Sequence, residues 1–199
     1  MKEFWDQRYG EAVYVYGKEP NAFLKEKIGP LRPGQALFPA EGEGRNAVYA
    51  ATLGWQVTAF DYSEAGRRKA EALAREKGTR IDYRVAGIEN FAFPESAFDL
   101  VGLFFAHQPS ASRRLLHQQA AQSLKPGGMV ILEAFSKQQL GLPSGGPKQA
   151  DLLFSAEELE EDFSSLHLHL LEETETVLSE GPYHSGPARV VRLVGRMKE

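Results

Sequence analysis

A glycine-rich turn is the part of this chain best suited to chemistry, and it lies within Ala36-Leu-Phe-Pro-Ala-Glu-Gly-Glu-Gly-Arg-Asn-Ala47. A hydrophobic, strand-like run leads into the turn. Glycines such as Gly42 and Gly44 let the backbone approach a ligand that a Cβ would push away. A helix that begins near Arg45 directs the positive end of its dipole into the same space. The turn therefore predicts a small-molecule binding site.

An acidic residue, Asp61, ends the next strand-like segment, Val57-Thr-Ala-Phe-Asp61. A carboxylate at that point of a strand–turn–helix–strand unit can accept hydrogen bonds from both hydroxyls of a ribose. The unit is therefore expected to bind a ligand that contains a nucleoside.

Two nucleoside ligands are compatible with this unit. Read literally, Gly42-x-Gly44-x-x-Ala47 matches the dinucleotide fingerprint, so an NAD-dependent oxidoreductase is one interpretation. Glu41 argues against it, because a carboxylate would stand where the pyrophosphate has to lie. A cationic sulfonium ligand tolerates that charge.

Strand-like and helical segments alternate through the first two thirds of the chain. Strands are predicted at Gln35–Phe38, Gln56–Phe60, Arg80–Val85, Phe98–Phe105 and Met129–Ala134, and helices at Asn46–Leu53, Ser63–Lys77 and Ala111–Leu124. This spacing is typical of a parallel sheet covered on both faces. The expected fold is an α/β, Rossmann-like, doubly wound sheet of about seven strands.

The pattern changes after residue 135. Ser136–Gln149 holds three glycines and two prolines and is predicted to be a long loop. A capping box predicts a short helix over Ser155–Asp162. The extended segments Leu166–Leu178 and Ala188–Arg196 are expected to pair as an antiparallel hairpin.

The chain is expected to form a single domain over residues 1–199. Residues 1–34 would be an aromatic-rich cover followed by a helix over Glu19–Ile28, residues 35–135 the ligand-binding core, and residues 136–199 the loop, short helix and hairpin. The aromatic start of the chain is compatible with a packed cap and with a lid over the ligand.

Composition narrows the function classes. The net charge of −4 and a pI near 5.8 argue against a nucleic-acid partner. The sequence has no cysteine, which excludes disulfides, thiolate zinc sites and a cysteine nucleophile, and no histidine–carboxylate spacing predicts a metal site. No apolar run is long enough to span a membrane, and a cytoplasmic location is expected. The oligomeric state stays open.

Motifs along nearly the whole chain resemble the class I S-adenosylmethionine-dependent methyltransferases, most closely the tellurite-resistance and thiopurine methyltransferase-like branch. The motifs are Trp5-Asp-x-Arg-Tyr9, Tyr14-Val-Tyr-Gly17, Phe38-Pro-Ala-Glu-Gly-Glu-Gly-Arg-Asn46, Phe60-Asp-Tyr-Ser63, Phe98-Asp-Leu-Val101, Ser123-Leu-Lys-Pro-Gly-Gly128, Gly145-Gly-Pro-Lys148 and Gly181-x-Tyr-His184. The chain departs from the common pattern at Phe38 and Ala40, where an acidic residue and a glycine are usual, and at Gly87, where an acidic residue is frequent.

The resemblance implies S-adenosylmethionine as the cofactor and assigns a role to each matching residue. The residues implied to contact the cofactor are Glu41, Gly42, Gly44, Asn46, Asp61, Tyr62, Gly87, Ile88 and Phe105. Asp61 would bind the ribose, Tyr62 would stack beside the adenine, and Gly87 and Ile88 would border its edge. A cover over the site would include Trp5, Tyr16 and Gly17, with Tyr183 and His184 as further residues near the acceptor.

His107 is the candidate general base, because it follows the fourth strand and histidine titrates near neutrality. The alternative is a loop histidine that is hydrogen-bonded near Pro109. His184 is the second candidate, with a role in shaping its turn as the alternative.

The predicted function is methyl transfer to a small-molecule acceptor by in-line displacement, which needs alignment and desolvation more than a strong base. Phe104-Phe105-Ala106-His107 forms an apolar wall with one polar tip, which favours a thiol or a metalloid. The alternatives are a non-catalytic S-adenosylmethionine-binding protein and an NAD-dependent oxidoreductase.

Overall fold

The structure is a computed structural model that describes residues 2–199. Its α-helices are α1 (Lys2–Tyr9), α2 (Ala22–Ile28), α3 (Arg45–Thr52), α4 (Glu64–Glu76), α5 (Ser110–Gln122) and α6 (Ala156–Asp162), and short 3-10 helices lie at Lys137–Gln139 and Ala150–Leu152. Its strands are β1 (Gln35–Pro39), β2 (Gln56–Asp61), β3 (Asp82–Val85), β4 (Phe98–Phe104), β5 (Leu124–Phe135), β6 (Leu166–Ser179) and β7 (Ser185–Met197).

The strands form one seven-stranded sheet in the order β3-β2-β1-β4-β5-β7-β6. β1, β2 and β3 pair in parallel, as do β4 and β5. β7 pairs antiparallel with both β5 and β6. The predicted Rossmann-like α/β fold with an antiparallel C-terminal hairpin is confirmed.

The described chain divides into two compact units. Unit 1 comprises residues up to Ala92 together with Glu180–Pro182, and unit 2 comprises Phe93–Ser179 and Tyr183–Glu199. The two units do not test the predicted three-part organisation of a single domain, which stays a prediction.

In unit 1, β1 is apolar and buried along almost its whole length, as expected of a strand with both faces covered. α4 packs through Ala70, Leu73 and Ala74 and begins at a Ser63 cap, whose side chain accepts a hydrogen bond from the Gly66 N–H. These elements fix the ends of β1 and β2, where the glycine turn and Asp61 lie.

In unit 2, β4 and the second half of β5 are mostly apolar and buried, and the predicted capping box is present at the start of α6. Asp162 at the end of α6 accepts hydrogen bonds from Arg113 and His117 of α5, at 2.7 and 2.8 Å. This buried charged cluster ties α6 to α5. His167 and His169 are solvent-exposed on β6, as the alternating pattern predicts.

Several predicted element boundaries differ from the structure, among them the start of one helix and the start of one strand. The helix predicted from Glu19 begins at Ala22, because the Asn21 side chain accepts a hydrogen bond from the Leu24 N–H and caps the helix there. The strand predicted from Met129 begins at Leu124, so Lys-Pro-Gly-Gly lies within β5 beside a register shift in its pairing with β4.

Residues 2–199 contain neither a membrane-spanning helix nor a cluster of metal-ligating side chains. None of the helices is long and apolar enough to cross a membrane. No cluster of three or more histidine, cysteine or carboxylate side chains is suited to hold a metal ion within the same residues.

Candidate functional site

Glu41 follows the β1 strand and caps α3. Its Oε1 accepts hydrogen bonds from the N–H groups of Asn46 and Ala47, at 2.8 and 2.7 Å. These are among the donors that a pyrophosphate needs at a helix N-terminus. Since a carboxylate of the protein already occupies them, the site disfavours a dinucleotide.

The pKa of Glu41 is raised to about 8, chiefly by desolvation and in smaller part by the neighbouring charge of Asp61. The two N–H donors and Arg45 act in the opposite direction. A cation bound beside Glu41 would favour its ionised form.

The glycine turn is shaped by packing against protein as well as by its backbone angles. Ala40, Gly42 and Gly44 all have positive φ, at 51°, 61° and 85°. A Cβ on Gly42 would lie 2.5 Å from the Tyr9 hydroxyl, and one on Gly44 would overlap Ala70 of α4. The glycines are thus needed for contacts with protein inside unit 1 as well as for the close approach of a ligand.

Asp61, at the end of β2, faces the same turn. Its Oδ2 accepts a hydrogen bond from the Gly42 N–H at 3.1 Å, and its Oδ1 accepts one from the Ser63 N–H at 3.0 Å. Burial raises the pKa of Asp61 to about 6. Each carboxylate oxygen accepts more than one hydrogen bond, so this geometry leaves capacity for hydroxyl donors.

Tyr62 and Gly87 lie side by side, as the implied adenine site requires. A Cβ on Gly87 would be 2.5 Å from the Tyr62 ring and 2.5 Å from a carboxylate oxygen of Glu89. Gly87 and Ile88 are buried. Glu89, two residues later, thus places an acidic group beside Gly87.

The predicted cover packs on the glycine turn through α1 and the segment that follows it. The Trp5 ring stacks on Tyr9 at 5.3 Å, and both contact a cluster that contains Val15 and Ala65. Asp6 accepts a hydrogen bond from the Ser63 hydroxyl at 2.6 Å. The start of the chain is therefore docked on the N-terminus of α4.

Glu43 is the second acidic residue of the turn, and it fastens the cover. Its Oε2 accepts hydrogen bonds from the Val15 and Tyr16 N–H groups, at 2.8 and 3.3 Å, and its Oε1 is 2.6 Å from Lys69 Nζ. Burial raises the pKa of Glu43, although the Lys69 ammonium opposes the shift. The turn therefore fixes the segment around Val15 by direct hydrogen bonds.

A buried ion pair joins α3 to the turn after β6. Arg45 Nη2 is 2.7 Å from Glu180 Oε2, and the two side chains are only 8% and 9% exposed. Asn21 Nδ2 donates to the other Glu180 oxygen at 3.0 Å, and Arg45 Nη1 donates to the Tyr16 carbonyl at 3.1 Å. The Asn46 side chain also lies in this network, where its Oδ1 accepts a hydrogen bond from the Asn21 N–H.

Gly17 and Gly181 meet through their backbones. A Cβ on Gly181 would lie 2.6 Å from the Gly17 nitrogen and 2.7 Å from the Val15 carbonyl oxygen. Both glycines also have positive φ. Their presence in the two motifs reflects this close approach.

Unit 2 contributes an aromatic–histidine cluster. The Phe105 ring contacts Phe135 and His184, with centroids 4.7 and 4.5 Å apart, and Phe135 contacts His184 at 5.1 Å. Phe105 has a φ of 52°, a strained conformation for a bulky residue. Strain of this kind persists only where the surroundings enforce it, and it is common at functional sites.

Both ring nitrogens of His107 are engaged. Nδ1 lies 2.7 Å from the Leu152 carbonyl oxygen, to which it donates, and Nε2 accepts a hydrogen bond from the Phe135 N–H at 3.3 Å. Burial lowers its pKa to about 4. This geometry favours a structural histidine over a general base, and the catalytic role stays an untested prediction.

Tyr183 and His184 differ in their surroundings. His184 is buried in the aromatic cluster, whereas Tyr183 is 38% exposed. Their backbone borders the loop that follows β5, because a Cβ on Gly145 would overlap the Tyr183 carbonyl and lie 3.1 Å from the His184 ring.

Within unit 1 the structure brings together the predicted residues Glu41, Gly42, Gly44, Asn46, Asp61, Tyr62, Gly87, Ile88, Trp5, Tyr16 and Gly17. Within unit 2 it brings together Phe105, His107 and His184. Sequence reasoning missed Tyr9, Glu43, Glu89 and Glu180. The available signal was a charged residue beside a glycine, since Glu43 lies between two glycines and Glu180 precedes Gly181.

Residues 39–128 match the family described as "Methyltransferase domain". A ubiquinone biosynthesis O-methyltransferase of Caulobacter vibrioides is 30% identical over 148 residues, which are 68% of this chain and 59% of that protein. A ubiquinone/menaquinone biosynthesis C-methyltransferase of Shewanella sediminis is 28% identical over 123 residues, 59% of this chain and 49% of that protein. The chain therefore spans about half to three fifths of the length of these curated relatives.

Solved structures share the fold at low sequence identity. A structure from work on the conversion of a disulfide bond into a thioacetal group during echinomycin biosynthesis has a TM-score of 0.80 and 19% identity, and the match covers 100% of this chain and 92% of that one. TehB from Haemophilus influenzae has a TM-score of 0.74 and 15% identity, with coverage of 99% and 67%.

The match over residues 39–128 indicates a methyltransferase domain, and the seven-stranded α/β fold agrees with it. S-adenosylmethionine is the cofactor of this domain class. The donor set of unit 1 fits this ligand, because two buried or partly buried carboxylates suit a cationic sulfonium and ammonium, and Glu41 occupies the helix N-terminus that a diphosphate requires.

Proposed function

We propose that the protein is an S-adenosylmethionine-dependent methyltransferase that acts on a small-molecule acceptor. The observation that carries the proposal is the Glu41 carboxylate at the N-terminus of α3, beside the turn that Asp61 also faces. The Glu41 carboxyl group already occupies the Asn46 and Ala47 N–H groups that the pyrophosphate of NAD would need, and a bound cation favours the ionised form of Glu41.

When bound, S-adenosylmethionine supplies an electrophilic methyl group on a sulfonium. In this proposal Asp61 accepts hydrogen bonds from the ribose hydroxyls, and Tyr62, Gly87 and Ile88 contact the adenine. Glu89 is added to the adenine edge because its carboxylate lies beside Gly87. The cover of α1 and the segment around Tyr16 excludes water from the reacting groups.

The acceptor is proposed to be a soft nucleophile, a thiol or a metalloid. The supporting feature is the apolar, aromatic surrounding of Phe105, Phe135 and His184. A thiol gives up its proton near neutral pH more readily than an alcohol does, so such an acceptor has little need of a general base. This agrees with the engaged ring nitrogens of His107.

A binding experiment tests the cofactor. Calorimetry should detect S-adenosylmethionine and S-adenosylhomocysteine but not NAD. Asp61→Ala should weaken both by about 2–4 kcal/mol, the value of two hydrogen bonds to a charged acceptor. Asp82→Ala is the matched control, since its carboxylate is exposed on β3 and pairs only with Arg84 among the ion pairs of the described chain. Binding of NAD alone would refute the proposal.

A transfer experiment tests the activity. Labelled S-adenosylmethionine is incubated with pooled thiols, metalloid oxyanions, amines and quinols, the last because two curated relatives are named for ubiquinone biosynthesis. A labelled thiol or metalloid product supports the acceptor class, and a labelled quinol alone would contradict it.

A non-catalytic S-adenosylmethionine-binding protein is the second candidate. It is favoured by one observation, that His107 has both ring nitrogens engaged and a pKa lowered to about 4. Cofactor binding without any labelled product from the pools or from cell extract would select this candidate.

A further inference from the structure

The segment Val13–Tyr16, here called the cover segment, lies against the glycine turn of unit 1, where the Glu43 carboxylate contacts it. The segment lies outside the helices and strands of the described chain. Backbone groups that belong to no ladder need partners from other parts of the protein when they are buried. The side chains that supply these partners therefore decide how firmly the cover segment is held.

Both carboxylate oxygens of Glu43 are used in this contact. Oε2 accepts hydrogen bonds from the N–H groups of Val15 and Tyr16, and Oε1 lies 2.6 Å from Lys69 Nζ. The Glu43 side chain is 3% exposed and the Lys69 side chain 17%. A carboxylate accepts on both oxygens, whereas an amide has a single oxygen. A glutamine at this position would therefore satisfy the backbone or Lys69, but not both.

Lys69 of α4 contacts the cover segment at two further points. Its Nζ donates to the Val13 carbonyl at 2.6 Å and lies 5.3 Å from the centroid of the Tyr14 ring, within cation–π range. The Tyr14 hydroxyl in turn donates to the Lys69 carbonyl at 2.9 Å. Glu43 and Lys69 together thus contact all four residues of the cover segment.

Tyr9 connects the cover segment to the turn where the ligand is expected. Its ring meets the Tyr16 ring edge to face, with centroids 6.4 Å apart, and packs in one buried cluster with Val15. The Tyr9 hydroxyl borders Gly42, since a Cβ there would lie 2.5 Å from it. Displacement of the cover segment would therefore remove packing directly beside the glycine turn.

We infer that the Glu43–Lys69 ion pair controls how long the cofactor stays bound, because it holds the cover segment against the glycine turn. The inference rests on the proposed methyltransferase function and adds two positioning residues to it, which act through the cover segment. Motion of a covering segment frequently limits ligand release, and changes at a binding site act mostly on the dissociation rate. A weakened pair should therefore speed up release of the cofactor.

Stopped-flow displacement of S-adenosylhomocysteine from the full-length protein tests the inference. Glu43→Gln should raise the release rate about tenfold, the size expected for loss of one charge-assisted contact. Lys18→Met is the matched control, because Lys18 Nζ also lies over the Tyr14 ring, at 5.0 Å, but pairs with the exposed carboxylate of Glu76. This control should change the rate by less than about twofold.

A double variant separates positioning from a general loss of stability. In Glu43→Gln with Lys69→Met, the amide oxygen can accept the Val15 and Tyr16 N–H groups while no ammonium faces the amide nitrogen. The double variant should therefore release S-adenosylhomocysteine more slowly than Glu43→Gln alone, although it has lost both charges. Hydrogen exchange of the Val15 and Tyr16 amides should follow the same order in protein without ligand. Urea denaturation checks that each variant is folded.

An unchanged release rate in Glu43→Gln would overturn the inference, whether or not the two amides exchange faster. Equal increases in Glu43→Gln and Lys18→Met would also overturn it, as would a double variant that releases the ligand as fast as Glu43→Gln. If wild-type protein does not bind S-adenosylhomocysteine, the proposed function itself fails. If it binds the ligand and releases it at a rate that Glu43 does not affect, only this inference is refuted.

Discussion

Different interactions stabilise the glycine turn of unit 1 and the aromatic–histidine cluster of unit 2. The turn is surrounded by carboxylates that each have several partners, among them Glu41, Glu43 and Glu180. The cluster consists of Phe105, Phe135 and His184 in ring contact. Directional polar groups suit a cationic ligand, whereas a surface of complementary shape suits an apolar one.

This difference has an energetic consequence. Buried charges are costly and remain stable only when every partner is in place. Ring packing is less directional, and its loss scales with the volume removed. Substitutions around the glycine turn should therefore act through uncompensated charge and through pH, and substitutions in the aromatic–histidine cluster through lost packing and hydrogen bonds.

The largest effect is expected at the buried ion pair. Glu180→Ala leaves the Arg45 guanidinium buried without its carboxylate and should lower the free energy of unfolding by about 3–5 kcal/mol. Urea denaturation measures the loss. Replacing both residues, Arg45→Met with Glu180→Leu, should recover part of it, because no charge is then left unpaired.

The exposed pair of Arg189 and Glu175 provides the control, since its side chains are 40% and 73% exposed. Glu175→Ala should cost about 0–1 kcal/mol. An equal loss in Glu180→Ala and Glu175→Ala would show that burial of charge does not distinguish unit 1.

In unit 2, His107→Asn should lower the free energy of unfolding by about 2–3 kcal/mol. Asparagine can still donate to the Leu152 carbonyl, but the Phe135 N–H loses its acceptor and the ring contact with Phe135 is lost. Urea denaturation gives the stability, and a pH–rate profile shows whether His107 also acts as a base. A structural His107 leaves the shape of the profile unchanged. Loss of a rate inflection with no loss of stability would reverse the assignment.

Stability should also fall as the pH rises through 7 to 8.5. The pKa of Glu41 is raised in the folded state to about 8, so folding takes up a proton between the unfolded and folded pKa values. One such proton lowers the free energy of unfolding by at most about 1.4 kcal/mol per pH unit, which gives about 1–2 kcal/mol over this range. The lowered pKa values of His107 and His117 act only below their ordinary value of 6.5.

Thermal denaturation in matched buffers measures the slope. Glu41→Gln should remove it while its amide oxygen still accepts the Asn46 and Ala47 N–H groups. Saturating S-adenosylmethionine should reduce the slope in wild type, because a bound cation favours the ionised carboxylate. A slope that persists in Glu41→Gln would assign the proton to another group.

The sequence predicts local patterns better than contacts between distant segments, for a physical reason. The alternation of strands and helices, the turn before Arg45 and the acidic residue at Asp61 are local patterns, and the structure has them where they were predicted. Glu180 meets Arg45 across 135 residues, and nothing local to either residue signals that contact. The Gln139 side chain likewise accepts a hydrogen bond from the Arg189 N–H. Residue types and spacing do not predict this pair.

The smallest effect is expected at Ala40, which has a φ of 51°, in the left-handed region that favours glycine. Left-handed geometry destabilises a non-glycine residue by about 1–2 kcal/mol. Glycine avoids this strain but loses more conformational entropy on folding, which offsets about 0.5–1 kcal/mol of the gain. Ala40→Gly should therefore raise the free energy of unfolding by about 0.5 kcal/mol. Ala72→Gly, within α4, is the control and should lower it by about 1 kcal/mol.

Phe105 has nearly the same angle, 52°, but Phe105→Gly should destabilise the protein, because the ring contacts with Phe135 and His184 are lost together with the strain. Urea denaturation of the variants gives the signs directly. Changes of opposite sign in the free energy of unfolding would support the comparison. Side-chain packing would then compensate the backbone strain at Phe105 but not the strain at Ala40. A gain in stability at both positions would contradict it.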